Sequence, residues 1–578
     1  MFIALVYMGT VPTYARECVQ QLQAWSNLPI VFLTDDVTRA RDILHDYLQV
    51  TVVDTSKLPP TENLRELQRQ RHHFGPTQWI PGRTDLFYTS LQRFYLLEAW
   101  MRSADAKHVF HLEVDNLIYF DPAAFEEQLT SKDIAVVWEG VDRVCAGVFF
   151  ARDADGIAKM NKGMLDSIPK ADFKSEMVLM SMYCNQHPER VLALPHYFGK
   201  DVKSHPHSKL YENQHLFGEH LFDGGSIGVW VSGIDGIHCN YTIQPKVNPW
   251  VKDIDFSTFG VNEHYDEQQR RYFTLEKDGE TRRVFNLHIH NKQLRFHLSK
   301  PFVHPTNRRF IQGEWFQDQA DLMIHSDPDD ECVPRLKGDK RVMYLADLAK
   351  LPDGSFNNPK KVYMRGWHFD KIGVLFSKFR NPFVLIQHNA DEYIHVNQGM
   401  IRYINSPMLL KYYSQSLMMH HPNAVALPIG LANGHWPHGN VDVFRKVASS
   451  GTVKKEGIYF YFSIHTARWH RERAFDVLTR KGLKWDKERP YEEYLTTLKT
   501  HKYAICPVGN GPDCHRLWEC VYLNVIPIVE NNPMIQHFRR WICMVIVDNF
   551  EQLDVNHLTV CIPTERERMY VEDFPITE

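Results

Sequence analysis

Short apolar runs alternate with helical periodicity from the start of the chain. Phe2–Tyr7 and residues 29–33 are continuous apolar runs of strand length. Between them, residues 14–25 place Ala15, Val19, Leu22 and Trp25 three and four positions apart, which predicts a helix. A β-α-β unit therefore opens the chain, with the loops at its strand ends turned toward a ligand. Residues 85–100 predict a second amphipathic helix, followed by a buried strand at Val109–Leu112. Residues 133–138, 145–150 and 284–292 are again strand-like. Periodicity weakens over residues 300–340, where Asp327-Pro-Asp-Asp-Glu331 and other polar sequence predict a linker. Regular pattern resumes beyond it. Residues 383–386 predict a buried strand, and residues 424–427 run into Pro428-Ile-Gly430-Leu-Ala-Asn433. A second lobe starts at Gly457 with a strand over 458–462, and buried strands follow near Tyr503 and over 525–530.

The most informative stretch is Glu113-Val-Asp115-Asn116, where the apolar strand gives out. Alternate strand side chains share a face, so Glu113 and Asp115 point the same way. Two carboxylates at the carboxyl end of an α/β strand suit a divalent cation carrying a diphosphate, although a solvated strand end would look the same. Late in the same half, His288-Ile-His290-Asn-Lys292 puts two imidazoles on one strand face with a lysine just beyond. Either His would serve as a third ligand for Mn²⁺, and Lys292 can neutralise a diphosphate leaving group. Arg93 lies on the helix preceding the acidic strand. Tyr7 and Gly9 end the first strand, and Asp35-Asp36 follows the second, positions that suit a nucleoside; helix capping is the plain alternative for either Asp. Asp223, ahead of Gly224-Gly225, is a candidate general base on the acceptor side or simply the cap of that turn.

Composition narrows the class. A chain of 578 residues exceeds one hydrophobic core, and 44% hydrophobic with 24% charged residues is ordinary globular composition. A net charge of −4 gives no bulk attraction to nucleic acid or anionic membrane. The first residues lack a basic region before their apolar run, and no run has the length of a membrane span, so a cytoplasmic protein without a transmembrane segment is expected. The ten Cys are dispersed without Cys-x-x-Cys pairs, which argues against a disulfide framework or a structural zinc site. Asn240-Tyr-Thr242 matches a glycosylation sequon, of little meaning in such a protein.

The carboxyl-terminal half carries its own chemistry. Gln387-His-Asn389-Ala-Asp391 ends a strand, and Trp436-Pro-His438-Gly439-Asn440 reads as a loop at a cleft. Ser463 and Arg468 fall at a strand-to-helix turn, where hydroxyls, guanidinium and helix-start N–H groups favour phosphate. The sharpest pattern is Cys506-Pro-Val-Gly509-Asn-Gly511-Pro-Asp-Cys-His515-Arg516-Leu-Trp518-Glu519, followed by Val525-Ile-Pro527-Ile-Val529-Glu530. A strand, a Pro-Gly loop, a helix beginning near His515 and another buried strand follow in order. Arg516 and Glu519, three apart, could also be an ordinary surface pair.

In order and context, residues 1–300 resemble a GT-A glycosyltransferase, with Glu113 standing where such enzymes more often carry Asp. Residues 305–578 resemble the exostosin-like GT-B glycosyltransferases, especially compact forms of large DNA viruses and bacteria. Asn524 replaces the usual Gly before the Ile-Pro strand, a change a left-handed backbone tolerates. The resemblance implies an α/β protein: a single-sheet, Rossmann-like GT-A domain over residues 1–304, then a compact GT-B domain of two α/β lobes over residues 305–578. It implies a bifunctional hexosyl- or pentosyltransferase using UDP- or GDP-sugars and glycan or glycoconjugate acceptors. Mn²⁺ or Mg²⁺ would sit at Glu113, Asp115 and His288 or His290, and the second domain would need no metal. There, the loop and helix start at Gly509, Gly511 and His515 would grip the donor with backbone N–H groups, Arg516 would hold the diphosphate, and Glu519, also a catalytic candidate, the ribose or sugar hydroxyls. Two alternatives remain: an inactive sugar-binding module beside one active domain, and a sugar-phosphate nucleotidyltransferase. A dinucleotide oxidoreductase is disfavoured, because Met8-Gly9-Thr10-Val11-Pro12 follows the first strand in place of G-x-G-x-x-G.

Overall fold

A computed structural model describes all residues except 48, 75–84, 141–142, 197–213, 233–258, 301–302, 305–307, 326–335, 357–359, 366–371, 390–397, 452–454, 562, 564–567 and 577–578. The sequon at Asn240, the acidic run from Asp327 to Glu331, and Asp391 lie outside the described residues. The chain forms two compact units, Met1–Phe302 and Val303–Glu578. Both are α/β. No helix among the described residues is long and apolar enough to cross a membrane.

The first unit is built on a seven-stranded sheet ordered β3-β2-β1-β4-β7-β6-β8. Its strands are β1 (Phe2–Tyr7), β2 (Ile30–Thr34), β3 (Val50–Asp54), β4 (Val109–Leu112), β6 (Ile134–Gly140), β7 (Arg143–Ala151) and β8 (Val191–Leu194). Two further sheets correct the single-sheet expectation. One is the antiparallel pair of β5 (Asn116–Ile118) with β13 (Asn286–His288). The other has four strands, β9 (His220–Leu221), β10 (Gly260–Tyr265), β11 (Arg271–Lys277) and β12 (Glu280–Val284). The two-stranded pair arises because the chain turns out of the main sheet at Glu113 and β5 finds its partner in β13. β1 is parallel to β2 on one side and to β4 on the other, so the strand order reverses direction there. In an open α/β sheet such a switch point leaves a crevice at the carboxyl edge.

The helices follow from their apolar spacing. Ala15–Trp25 buries Ala15, Cys18, Val19, Leu22 and Trp25 and stops at extended Ser26. Leu86–Ser103 is buried on several faces, through Leu91, Phe94, Tyr95, Leu97 and Met101. Burying side chains such as Phe94 or Leu97 stabilises the unit by roughly 1.5–3 kcal/mol each, which anchors the helix that carries Arg93.

The second unit holds two sheets. The first, all parallel, runs β15-β14-β16-β17-β18-β19, from β14 (Leu322–His325), β15 (Val342–Tyr344), β16 (Lys361–Arg365), β17 (Phe383–His388), β18 (Leu409–Ser414) and β19 (Ala424–Ala426). The second runs β20-β21-β22-β23-β24, from β20 (Lys455–Tyr459), β21 (His501–Ile505), β22 (Ile526–Glu530), β23 (Met544–Val547) and β24 (Val560–Cys561), with only the last pair antiparallel. Pairing in β20 ends at Tyr459, short of the Phe462 expected from the apolar run. His304 belongs to this unit and not to the first, since its Nδ1 lies 2.8 Å from Tyr570 Oη and its Nε2 2.8 Å from Tyr522 O.

Candidate metal centre

Glu113 and Asp115 occupy the turn between β4 and β5, and His288 ends β13, opposite Asn116 in register. One ligand atom from each of the three lies within 4.8 Å of the others. His288 Nε2 is 3.2 Å from Glu113 Oε2 and 3.3 Å from Asp115 Oδ1. Backbone pairing holds the cluster: Ile289 N–H donates to Asp115 O at 2.8 Å and Glu113 N–H to Gly147 O at 3.0 Å. Asn286 Nδ2 donates to Asn116 Oδ1 at 2.7 Å, locking the two strands together beneath the ligands. Gly147 makes room for them. A Cβ there would lie 3.0 Å from His288 Nδ1 and 3.1 Å from Glu113 Oε2.

Burial opposes charge on all three ligands, and their neighbours outweigh it. Arg93 and His288 hold the Glu113 carboxyl below its usual range. Lys292 and His288 hold Asp115 well below its own, while Asp115 lifts His288 well above the usual imidazole value. Two carboxylates and an imidazole form a donor set that fits a divalent cation, which would compete with the proton for His288.

The other expected residues of this half are distributed as follows. Lys292 pairs with the second oxygen of Asp115 through its Nζ. His290 stacks on His288 with centroids 4.3 Å apart and is not one of the three clustered ligands. Arg93, expected on the donor, is buried and engaged by Glu113 and, at 3.6 Å, by Glu176. It orients a ligand because the low-dielectric interior favours its two carboxylate partners. Asp35 Oδ1 accepts from Gly9 N–H at 2.7 Å, closing the loop after Tyr7, and Gly9 has the positive φ of +87° that this turn requires. This loop emerges at the same edge as Glu113, because Tyr7 is level with Thr34 and Leu5 with Leu112. Asp223 is fully buried. Its Oδ1 accepts from Gly225 and Ile227 N–H, and its Oδ2 from Gly228 and His288 N–H, all at 2.7–2.9 Å. The general-base expectation is therefore corrected to a turn cap: both oxygens are committed to backbone.

In the second unit the Gly509–Gly511 loop and the start of helix His515–Tyr522 hold the two sheets together. His515 Nδ1 lies 2.8 Å from Gly430 O, and a Cβ on Gly511 would meet Ser416 Oγ at 3.1 Å. Asn524 has the left-handed φ of +57°. Arg516 lies over Tyr494, 5.1 Å from its centroid, and its buried Nη1 finds no hydrogen-bond partner among the described residues. Glu519 is 4% exposed and accepts from Tyr494 Oη at 2.5 Å. Glu519, expected on ribose or sugar hydroxyls, is thus tied through one oxygen to helix Tyr491–Lys499. Arg468 is largely solvated and pairs with Glu472 at 2.7 Å. Ser463 contributes its carbonyl, which accepts from Arg471 Nη1 at 2.9 Å, while Arg471 Nε donates to Val508 O at 2.8 Å. Arg471 thereby joins two loops of the sheet edge.

Sequence reading overlooked Glu176, Gly147 as a spacer and Arg471. Glu176 has no local signature, whereas Gly147 stands in a visible small-residue run and Arg471 in a visible basic one.

No protein-family model matches the chain, and no curated protein matches it. Among solved structures, mouse xyloside xylosyltransferase 1 aligns with 36% of this chain and 92% of its own, at 15% identity and a TM-score of 0.27. The glycosyltransferase GlyE of Streptococcus pneumoniae TIGR4 aligns with 71% of this chain and 90% of its own, at 10% identity and a TM-score of 0.25. PaToxG glycosyltransferase aligns with 38% and 74%, at 11% identity and a TM-score of 0.22.

Proposed function

We propose that the chain is a glycosyltransferase whose first unit transfers a sugar from a UDP- or GDP-sugar, with a divalent cation (Mn²⁺ or Mg²⁺) held by Glu113, Asp115 and His288. The observation that carries this reading is the three-ligand cluster beside the switch point of a mostly parallel sheet. A cation bound there would stabilise the charge developing on the departing nucleoside diphosphate. The chain's own residues prepare that step. Arg93 fixes Glu113, Gly147 keeps the floor of the site open, and Lys292 adds a positive charge on the far oxygen of Asp115. The Gly9–Asp35 loop at the same sheet edge offers backbone and carboxylate to the nucleoside.

The second unit reads as a metal-independent GT-B-type module acting on its own nucleotide-sugar, so that the chain is bifunctional. Two mostly parallel sheets joined through His515 and Gly430 support this reading, as does the ordered Pro-Gly loop and helix start.

Nucleoside diphosphate release from a panel of UDP- and GDP-sugars, with Mn²⁺ or with chelator, tests the first unit. Asp115→Asn keeps the shape and removes charge, so cation-dependent release should fall by roughly 10²-fold or more. Release by Asp115→Asn that is stimulated by Mn²⁺ as strongly as in the unaltered protein would eliminate the cation site.

A further inference from the structure

Lys292, shortly beyond the ligand His288, is a non-glycine residue held in the left-handed region at a φ of +60°. A residue with a Cβ rarely adopts that conformation unless its surroundings enforce it. The turn is closed by Lys292 N–H donating to Ile289 O at 3.0 Å and by Gln293 N–H donating to Asn291 Oδ1 at 2.9 Å. The segment that follows is fastened to helix Ala15–Trp25. Arg295 Nη2 donates to Glu17 Oε1 at 2.8 Å between two buried side chains, and Ser299 N–H donates to Gln21 Oε1 at 2.8 Å. The backbone is thus fixed where it aims the Lys292 ammonium at Asp115 Oδ2, while His288 Nε2 faces the other oxygen, Oδ1, at 3.3 Å. The Lys292 side chain is 29% exposed against 9% for Asp115, so it reaches the cluster from the solvent side.

Charge decides what this arrangement does. Three carboxylates, Glu113, Asp115 and Glu176, are paired with two permanent cations, Arg93 and Lys292. The single negative charge in excess attracts a divalent cation only weakly, and the ammonium holds one oxygen of a carboxylate that such an ion would bind. We propose that Lys292 is a charge gate on the cation site: it occupies Asp115 until a nucleoside diphosphate offers phosphate oxygens to the ammonium, and so makes cation and nucleotide bind as a pair. The inference rests on reading Glu113, Asp115 and His288 as the cation site, and adds the regulation of that site. Lysine suits the exchange, because its ammonium is a compact point charge on a flexible stem. Arg93, buried between Glu113 and Glu176, stays in place. Linkage makes the coupling reciprocal: whatever factor the nucleotide adds to cation affinity, the cation adds to nucleotide affinity.

Mn²⁺ titration of the full chain followed by electron paramagnetic resonance, first without nucleotide and then with UDP or GDP, tests this. Without nucleotide, Lys292→Gln should bind Mn²⁺ about tenfold or more tighter than the unaltered protein, an effect of the size that partners of metal ligands commonly exert. Lys292→Arg keeps the charge and should bind Mn²⁺ as weakly as the unaltered protein. With nucleotide present, the coupling factor of Lys292→Gln should shrink by a similar amount. Adding Asp115→Asn to Lys292→Gln should abolish the gain, which places the ion on Asp115. Equal or weaker Mn²⁺ binding by Lys292→Gln, or an unchanged coupling factor, would overturn the gate, make Lys292 a residue that only orients Asp115, and leave the cation site standing. A gain shared by Lys292→Arg, or one that survives Asp115→Asn, would also overturn the gate. Mn²⁺ bound by none of these proteins, with or without nucleotide, would overturn the cation site and the gate together.

Discussion

Gly147 illustrates how much of the cation site is decided by one missing methyl group. A Cβ at this position would crowd His288, Glu113 and Asn116 at 3.0–3.2 Å, so the ligands would have to move by a few tenths of an ångström. Gly147→Ala should therefore weaken Mn²⁺ binding severalfold, while overpacking costs the fold about 1–3 kcal/mol. Unaltered Mn²⁺ affinity in a titration of Gly147→Ala would show that the three ligands tolerate displacement. Asp513 is a second residue-scale case. It is buried, its Oδ2 accepts from Ile429 N–H at 3.0 Å and Trp518 Nε1–H at 3.2 Å, and burial pushes its carboxyl up to about 6. The folded state then holds a proton that the unfolded chain releases near pH 4. Its contribution to stability is present below that pH, declines as pH rises toward about 6, and is gone above it. The loss is on the order of 3 kcal/mol at neutral pH. Asp513→Asn keeps both accepted hydrogen bonds through its Oδ1 or by rotation, and it carries no charge to bury. Relative to the unaltered protein, it should gain stability between pH 4.5 and pH 7 in urea unfolding. A wild-type-minus-variant difference that is flat with pH would refute the buried-acid assignment.

At the scale of elements, the short helix Ser226–Ser232 sets the position of β13 and hence of His288. Asp223 caps its start and also accepts from His288 N–H at 2.8 Å. Gly228 lies so close to β13 that a Cβ there would fall 1.9 Å from His288 O. Asp223→Asn leaves two backbone N–H groups facing an amide, so it should destabilise the first unit by about 2–4 kcal/mol. Thermal unfolding of the variant separates the two roles weighed for this residue. A pure general base would lose turnover with full stability, whereas a cap loses stability together with cation affinity. The Tyr491–Lys499 helix plays the corresponding part in the second unit. By donating Tyr494 Oη–H to Glu519, it fixes the position of that carboxylate.

At the scale of the whole molecule, each unit has its own core. One cluster of buried residues runs from Ile3 to Leu298, and the second unit has its own clusters starting at Phe310 and Phe460. His304 is tied to Tyr570 and Tyr522, so a division placed before Val303 keeps that network whole. Expressed separately, residues 1–302 and 303–578 should each unfold cooperatively in calorimetry, because few core contacts cross a domain boundary. Two pieces that both aggregate would show that the cores depend on each other.

Local pattern was enough for much of this protein. The spacing of Ala15, Val19, Leu22 and Trp25 specifies a buried helix face, and mostly apolar runs specify β1, β2, β4 and β17, because those strands are covered on both sides. The adjacency of Glu113 and Asp115 is likewise a two-residue property of the chain. Which histidine joins them is not. That choice depends on β13 pairing with β5 across a long sequence separation, which directs His288 inward and leaves His290 stacked behind it. The same limit explains Asp223, Arg93 and Glu519. Each has a side chain suited to catalysis or binding, and each is committed by partners distant in sequence: His288 N–H, Glu176 and Tyr494. Residue type and spacing determined what chemistry each position could perform. Only tertiary packing decided which side chains remained available to perform it, because burial makes an unpaired polar group costly and so assigns it a structural partner first.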